Sequence, residues 1–513
     1  MSRLAREDRG PARGGRGAGA RGGREERRDD RRRGPRERSA QRPAERARQG
    51  DPARDTAYRV LRAVDQDGAY ANLELPQELR RARVRGRDAA FATELTYGTL
   101  RLQGLYDRVI AQAADRDLSQ VDAPVRDLLR LGTHQLLGMR VPDHAAVSST
   151  VALARQHVSQ GAGGFVNAVL RRVGERTREE WLGIVLEPIT DPVARAAVEH
   201  SHPEWVVRAL RAALIAHGST ASEADAELPE LLRAHNEPGA LTLVLRPGLV
   251  EPDALEQAGA EPSPVAPTAW TLPAGDPGVL SAVRDGRVAV QDAGSQLLTL
   301  ALAEAPLEGT DERWLDLCAG PGGKAGLLAA LALERGASLR ANEVSAHRAE
   351  LVRNTLTGAI DAGADVTVTV EDGRDVGTQE PGLYDRVLVD APCTGLGALR
   401  RRPESRWRRS PQDLATLGPL QRELLDSALD AVRVGGVVAY ATCSPHIAET
   451  TLVVEDVRKR RGDVELVDVR ALLRDRSGQQ VADTGSEGEL WAQLWSHRHD
   501  TDGMFVALLR RTG

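Results

Sequence analysis

Trp314-Leu315-Asp316-Leu317-Cys318-Ala319-Gly320-Pro321-Gly322-Gly323-Lys324 is the stretch that decides the fold. Residues 314–317 form a short apolar strand, 318–324 a glycine-rich turn, and 325–333 read as a helix. A strand, turn and helix of this kind make a cradle, because glycine lets the backbone approach a ligand closely and the helix N-terminus offers free N–H groups. The turn is not a phosphate-gripping Gly-x-x-x-x-Gly-Lys-Ser/Thr, since Ala325 follows Lys324, so a nucleoside triphosphate is not the expected ligand.

Toward the C-terminus the same alternation continues. Residues 338–344 form a second strand with Glu343 near its end, 23 residues beyond Gly320, close to the spacing at which an acid meets a ribose hydroxyl pair in nucleotide-binding βαβ units. A third strand, 366–370, ends at Glu371-Asp372-Gly373, where a carboxylate can accept from an adenine amino group. Either acid alone reads as a solvated strand end; together, on successive strands, they favour an adenosine-containing ligand. The fourth strand, 384–389, runs into Asp390-Ala391-Pro392-Cys393, and the fifth, 436–441, into Thr442-Cys443-Ser444-Pro445. In a doubly wound sheet ligands sit beyond the carboxyl ends of the strands at the switch point, so both cysteines should face one pocket. A lone cysteine is commonly a small buried hydrophobe, but all three cysteines of the chain lie at strand ends, which points to function for Cys393 and Cys443. No Cys-x-x-Cys pair or histidine spacing completes a zinc site, and no metal is expected.

Outward from this core, residues 289–513 read as an α/β domain with crossover helices and a last strand at 504–509. Residues 51–185 read as an all-helical domain: Ala57, Val60, Leu61 and Val64, and later Val166, Val169, Leu170 and Val173, recur at i, i+3, i+4 and i+7. Between them, 186–288 read as a small α/β connecting domain with short β-like runs such as 241–245. Residues 1–50 hold 17 Arg against 8 Asp plus Glu, a net +9 that leaves −14 for the rest. They carry almost no large apolar side chain after Leu4 and are expected to be a disordered Arg/Gly-rich tail. No apolar run is long enough to span a bilayer, the N-terminus lacks an apolar secretory stretch, and three cysteines are too few for a disulfide framework. A soluble, cytoplasmic monomer is the expectation.

The three ordered motifs, 316–324, Asp390-Ala391-Pro392-Cys393 and Ala441-Thr442-Cys443-Ser444, resemble those of the Sun/Fmu (NOL1/NOP2) family of RNA cytosine-5 methyltransferases. Asp88-Ala89-Ala90-Phe91, Tyr97-Gly98-Thr99-Leu100-Arg101, Arg130-Leu131-Gly132 and the run 164–172 resemble a NusB-like RNA-binding domain, and the fusion is similar to that of bacterial enzymes acting on small-subunit (16S) ribosomal RNA. The resemblance implies an all-α NusB-like domain ahead of a Rossmann-like methyltransferase domain that uses S-adenosylmethionine. It implies that Cys318, Ala319, Gly320, Pro321, Gly322, Gly323, Lys324, Glu343, Asp372 and Asp390 line the cofactor site. It further implies that Cys443 attacks the base, that Cys393 serves its release, and that Asp390 hydrogen bonds the base edge. Such chemistry needs a thiolate, since carbon 5 of cytosine is a poor nucleophile until a thiolate adds to carbon 6. Arg400-Arg401-Arg402-Pro403-Glu404 through Arg406-Trp407-Arg408-Arg409 resembles the family's basic loop, whose arginines, Arg400, Arg401 and Arg406 among them, are expected to contact phosphates and Trp407 to stack on a base, as are Arg171 and Arg172 to contact RNA; a solvated charge run around a core tryptophan is the alternative. The Arg-rich tail is either a further RNA-attracting arm or a solubilising extension. Ribosomal RNA is the expected partner. Transfer RNA, DNA methylation with the Pro-Cys cysteine as nucleophile, and a non-catalytic antitermination factor stand as alternatives.

Overall fold

The computed structural model describes residues 51–513 apart from Ala274. The expectation of a disordered tail over residues 1–50 lies outside the described residues. The described chain begins with helices α1 (Pro52–Gln66), α2 (Ala71–Ala82), α3 (Gly86–Arg101), α4 (Gln103–Ala114), α5 (Ala123–Leu137), α6 (Asp143–His157), α7 (Gln160–Val173) and α8 (Arg178–Leu186). Local chemistry sets the first of these: Asp51 caps α1 by accepting from the N–H groups of Ala53 and Arg54, and Pro52 supplies a fixed φ where no N–H is needed. The i, i+3, i+4, i+7 residues of α1 and α7 are all buried and belong to one continuous core that draws on residues 57–198 alone.

The connecting segment divides in two. Its first half is helical: α9 (Pro192–Glu199), α10 (Glu204–Ala216) and α11 (Ala221–Ala234) pack their own apolar cluster against Leu396, Leu399 and Trp495. Its second half is a four-stranded sheet of β1 (Thr242–Leu245), β2 (Glu261–Pro262), β3 (Ala269–Thr271) and β4 (Val288–Val290) in the order β2-β3-β1-β4. Strand β4 crosses the expected boundary at 288, because its pairing with β1 ties residues 288–290 to the connecting sheet.

Helix α12 (Ala293–Glu304) leads into the large sheet. Its elements are β5 (Arg313–Asp316), α13 (Gly323–Arg335), β6 (Ser338–Asn342), α14 (Ala346–Asp361), β7 (Val366–Thr369), α15 (Gly373–Gln379), β8 (Tyr384–Asp390), α16 (Asp413–Ala431), β9 (Val432–Thr442), α17 (Thr451–Arg460), β10 (Val464–Val467), β11 (Ala492–Gln493) and β12 (Phe505–Arg511). The strand order is β10-β12-β9-β8-β5-β6-β7, with β11 beside β12. β7, β6, β5, β8 and β9 are parallel, and β12 and β10 run antiparallel at one edge. Helices cover both faces, giving two apolar clusters, one around Leu297, Leu328 and Val352 and the other around Val376, Leu424 and Val453. The central strands are accordingly near-continuous apolar runs. Order reverses between β5 and β8, so the carboxyl ends of those strands and of β9 open on one crevice.

Candidate active site

Each strand of the parallel core delivers one side chain or turn to that crevice. After β5 the chain makes the turn 317–322 with Gly322 at φ 110° as the cap of α13. A Cβ at Gly322 would stand 2.8 Å from the Thr355 side chain, and one at Gly320 only 2.2 Å from Glu343 Oε2, so both glycines are demanded by close approach. Glu343, just past β6 and buried, accepts from the Gly320 N–H at 3.1 Å and the Ser345 N–H at 3.0 Å and pairs with Arg348 at 3.2 Å. Asp372 caps α15 after β7 and is held by Arg374 at 2.6 Å, which keeps its carboxyl below the usual carboxylate range. Asp390 ends β8, and one of its carboxylate oxygens accepts from Lys324 Nζ at 2.7 Å.

Strands β8 and β9 are neighbours in register, Asp390 opposite Ala441, and this pairing brings the two expected cysteines together: Cys393 Sγ lies 3.4 Å from Cys443 Sγ. Cys443 is fixed by its carbonyl, which accepts from the Gly397 N–H at 2.9 Å. The Cys393 turn is fixed by Glu449, buried, which accepts from Thr394 N at 2.8 Å and Thr394 Oγ1 at 2.5 Å. The sulfurs differ in acidity. The hydrogen bond from Cys393 holds the Cys443 thiol below its ordinary value against the opposing effect of burial, with the charges of Arg402 and Lys324 assisting. The same hydrogen bond, then burial, push Cys393 well up. Burial and the nearby Asp316 push Cys318 up as well, leaving it a thiol.

A cavity of about 410 Å³ is lined by Cys318, Gly320, Glu343, Asp372, Asp390, Cys393 and Cys443 together, with Asn342 and Val344 beside the acids. Ala319, Pro321, Gly322 and Gly323 shape the turn behind it rather than its wall, and Lys324 reaches it through Asp390. Among the described residues no cluster of His, Cys, Asp or Glu is arranged to hold a metal, and no helix is long and apolar enough to cross a membrane.

The basic loop after β8 departs from its expected role. Arg406 is fully buried and donates to the carbonyls of Arg101 (3.3 Å), Ser201 (2.9 Å) and His235 (3.1 Å) and to Asn236 Oδ1 (2.8 Å). Arg400, 4% exposed, is held by Asp500 and Asp502, and Arg401 by Asp292 at 2.8 Å and Asp502 at 3.1 Å. The Trp407 ring lies against Gly104, where a Cβ would meet it at 2.3 Å. Arg400, Arg401 and Arg406 are thus structural ties between segments, their guanidinium groups turned to carboxylates and carbonyls, and Trp407 is packed against Gly104. Arg171 and Arg172 remain exposed on α7. Arg402 and Arg409 of the basic loop do line the cavity, whereas Tyr70 and Thr394 in its lining, and Glu449 behind it, were missed in the sequence. Only Glu449 and Thr394 lie near a motif; nothing local marks Tyr70.

A doubly wound sheet with antiparallel β12 slotted beside β9, and a thiol pair facing a glycine turn across one crevice, is the architecture of a methyltransferase. A solved structure agrees on the fold: the crystal structure of PH0851 superposes with a TM-score of 0.73, covering 90% of this chain and 99% of that one at 22% identity. The chain belongs to the 16S rRNA methyltransferase RsmB/F family, whose model matches residues 303–510, while the NusB family model matches residues 51–175. A Mycobacterium tuberculosis protein named as a methyltransferase, Rv1407, is 49% identical over 469 residues, 91% of this chain and 98% of that one. The ribosomal RNA small subunit methyltransferase B of Pseudomonas putida is 33% identical over 453 residues, 86% of this chain and 98% of that one.

Proposed function

We propose that this protein transfers the methyl group of S-adenosylmethionine to carbon 5 of a cytosine in 16S ribosomal RNA, through a covalent bond between Cys443 and carbon 6 of the base. The observation that carries the reading is the pair of thiols 3.4 Å apart on the wall of one cavity, with opposite shifts in acidity. The choice of ribosomal RNA rests on the family and on what its named relatives act on.

The residues of the cavity suit the cofactor. Gly320 leaves a cradle that a Cβ would fill, the carboxylates of Glu343 and Asp372 on the wall would accept from ribose hydroxyls and an adenine amino group, and Val344, 65% exposed, would offer an apolar face to a purine. When bound, S-adenosylmethionine supplies an electrophilic methyl group on a sulfonium. The protein's own residues make the base receptive. The Cys443 thiolate adds to carbon 6, the 5,6 double bond opens, and its electrons pass into the ring, leaving carbon 5 nucleophilic. Lys324 occupies one oxygen of Asp390 and leaves the other for the base edge that gains a proton. Once Cys443 is bonded to carbon, Cys393 no longer has a thiolate to donate to, and the hydrogen bond that most raises its pKa is gone. Cys393 can then lose its proton to solvent, and once carbon 5 carries the methyl group the Cys393 thiolate takes the proton from carbon 5 while the sulfur–carbon 6 bond breaks, the 5,6 double bond returns and Cys443 leaves as a thiolate.

The test is transfer of a radiolabelled methyl group from S-adenosylmethionine to unmodified small-subunit ribosomal RNA by wild type, Cys443→Ala and Cys393→Ala, with denaturing gels for protein–RNA adducts. Only wild type should turn over, and Cys393→Ala should accumulate an adduct. Turnover by Cys443→Ala would reverse the two roles, and transfer to a transfer RNA pool alone would overturn the substrate.

A further inference from the structure

The cavity is not built by the methyltransferase half alone. Tyr70, at the end of the loop between α1 and α2, is part of its lining together with Arg402 and Arg409. That loop is clamped to the segment after β8: Glu404 accepts from the Ala71 N–H at 3.1 Å, and Arg408 donates to the carbonyls of Gly68 (2.9 Å), Val64 (3.0 Å) and Ala69. The Tyr70 ring lies 5.4 Å from the guanidinium carbon of Arg402 and 5.1 Å from that of Arg408.

The arginines of this segment sort by what they already hold. Arg400, Arg401, Arg406 and Arg408 are committed to carboxylates or carbonyls. Arg409 approaches Asp413 at 3.5 Å. Arg402 is exposed, lines the cavity, and among the described residues its side chain makes no hydrogen bond or ion pair; its one close polar-to-aromatic contact is with Tyr70. A guanidinium resting on an aromatic ring keeps its N–H edge free for an anion while losing side-chain freedom.

We propose that Arg402 binds the phosphate of the target nucleotide, and that Tyr70 is a positioning residue that holds Arg402 at the mouth of the catalytic cavity, so that the helical domain supplies part of the substrate site. This rests on the reading that the cavity takes an RNA nucleotide. It assigns the helical domain a task beyond recruiting RNA at a distance, in the same cavity as Cys443, whose acidity the Arg402 charge also favours.

The test measures binding of a short cytidine-containing single-stranded RNA by anisotropy across a salt series, and methyl transfer to small-subunit ribosomal RNA, for wild type, Arg402→Ala, Tyr70→Ala and Tyr70→Phe. Loss of one phosphate contact should weaken RNA binding about tenfold and lower the magnitude of the log–log salt slope by about 0.7. Arg402→Ala should show both changes, with cofactor affinity and Tm unchanged. Tyr70→Ala should weaken RNA binding in the same direction, and Tyr70→Phe, which keeps the ring, should restore it to within about threefold. A wild-type affinity and salt slope in Arg402→Ala would overturn the phosphate contact. Full RNA affinity in Tyr70→Ala, or a loss in Tyr70→Phe equal to that in Tyr70→Ala, would remove Tyr70 from the site. If wild type itself transfers no methyl group to RNA, the functional reading fails instead, an outcome visible in the wild-type arm before any variant is compared.

Discussion

Arg406→Ala should destabilise the fold without acting on RNA directly. The guanidinium is fully buried and joins the end of α3 (Arg101), the residue after α9 and its turn (Ser201) and the end of α11 (His235, Asn236). Removing it leaves three carbonyls and one amide oxygen without their donor, and an unsatisfied buried acceptor costs about 1–3 kcal/mol. Water admitted to the polar hole recovers part of this, and the cost of burying the charge is also relieved, which sets the net loss at about 2–4 kcal/mol. At roughly 2–4 °C per kcal/mol for a domain of about 150–250 residues, the melting transition should fall by about 4–16 °C. Differential scanning fluorimetry reads the shift, and limited proteolysis should show earlier cleavage between the helical and sheet-bearing parts. An unchanged Tm accompanied by weaker RNA binding and a flatter salt slope would refute the reasoning and return Arg406 to the phosphate backbone.

Gly320→Ala should weaken S-adenosylmethionine binding by more than about tenfold in calorimetry, since its Cβ would stand 2.2 Å from Glu343 Oε2 and must displace the carboxylate; retained affinity would exclude the Glu343 contact. Iodoacetamide near pH 7.5 should label Cys443 well ahead of Cys318 and Cys393, because only its acidity is raised; peptide mapping by mass spectrometry showing Cys318 first would contradict this. Burial, and then the Asp390 charge, push Asp316 up to about 8, whereas an unfolded chain releases that proton at about pH 4. The folded state therefore holds more protons between those values, and stability falls as pH rises through that window. Asp316→Asn lacks this loss, so its Tm relative to wild type should climb from pH 5 to pH 8, and a constant difference would show that Asp316 does not titrate there.

The α/β half was legible because buried parallel strands are local apolar runs bounded by turns: residues 314–317, 338–344 and 384–389 match β5, β6 and β8 to within two residues. The cysteine pair was legible one step removed, since it needs β8 and β9 to be neighbours, which the doubly wound pattern supplies. The helices of 192–234 were obscured by proline and glutamate, although the capping box Thr220-Ala221-Ser222-Glu223 marks the start of α11. The basic loop misled for a different reason. An arginine bound to phosphate and one bound to backbone carbonyls are identical in sequence, and the acceptors of Arg400, Arg401 and Arg406 come from Asp292, Asp500, Asp502 and the ends of α3 and α11. Tyr70 was invisible for the same reason, its neighbours in the cavity lying more than 200 residues away along the chain.

The clamp between Ala71 and Glu404 spans 333 residues, and this separation sets an order of assembly. The apolar core of the helical domain draws on residues 57–198 alone, so during synthesis it can close on its own, long before the segment after β8 leaves the ribosome. The Tyr70 loop must then wait, with the carbonyls of Val64, Gly68 and Ala69 solvated, until Arg408 arrives to collect them. The seam between the helical domain and the segment after β8 is thus closed in a late docking step between parts that have already folded, a long-range contact whose chain separation makes it slow to form.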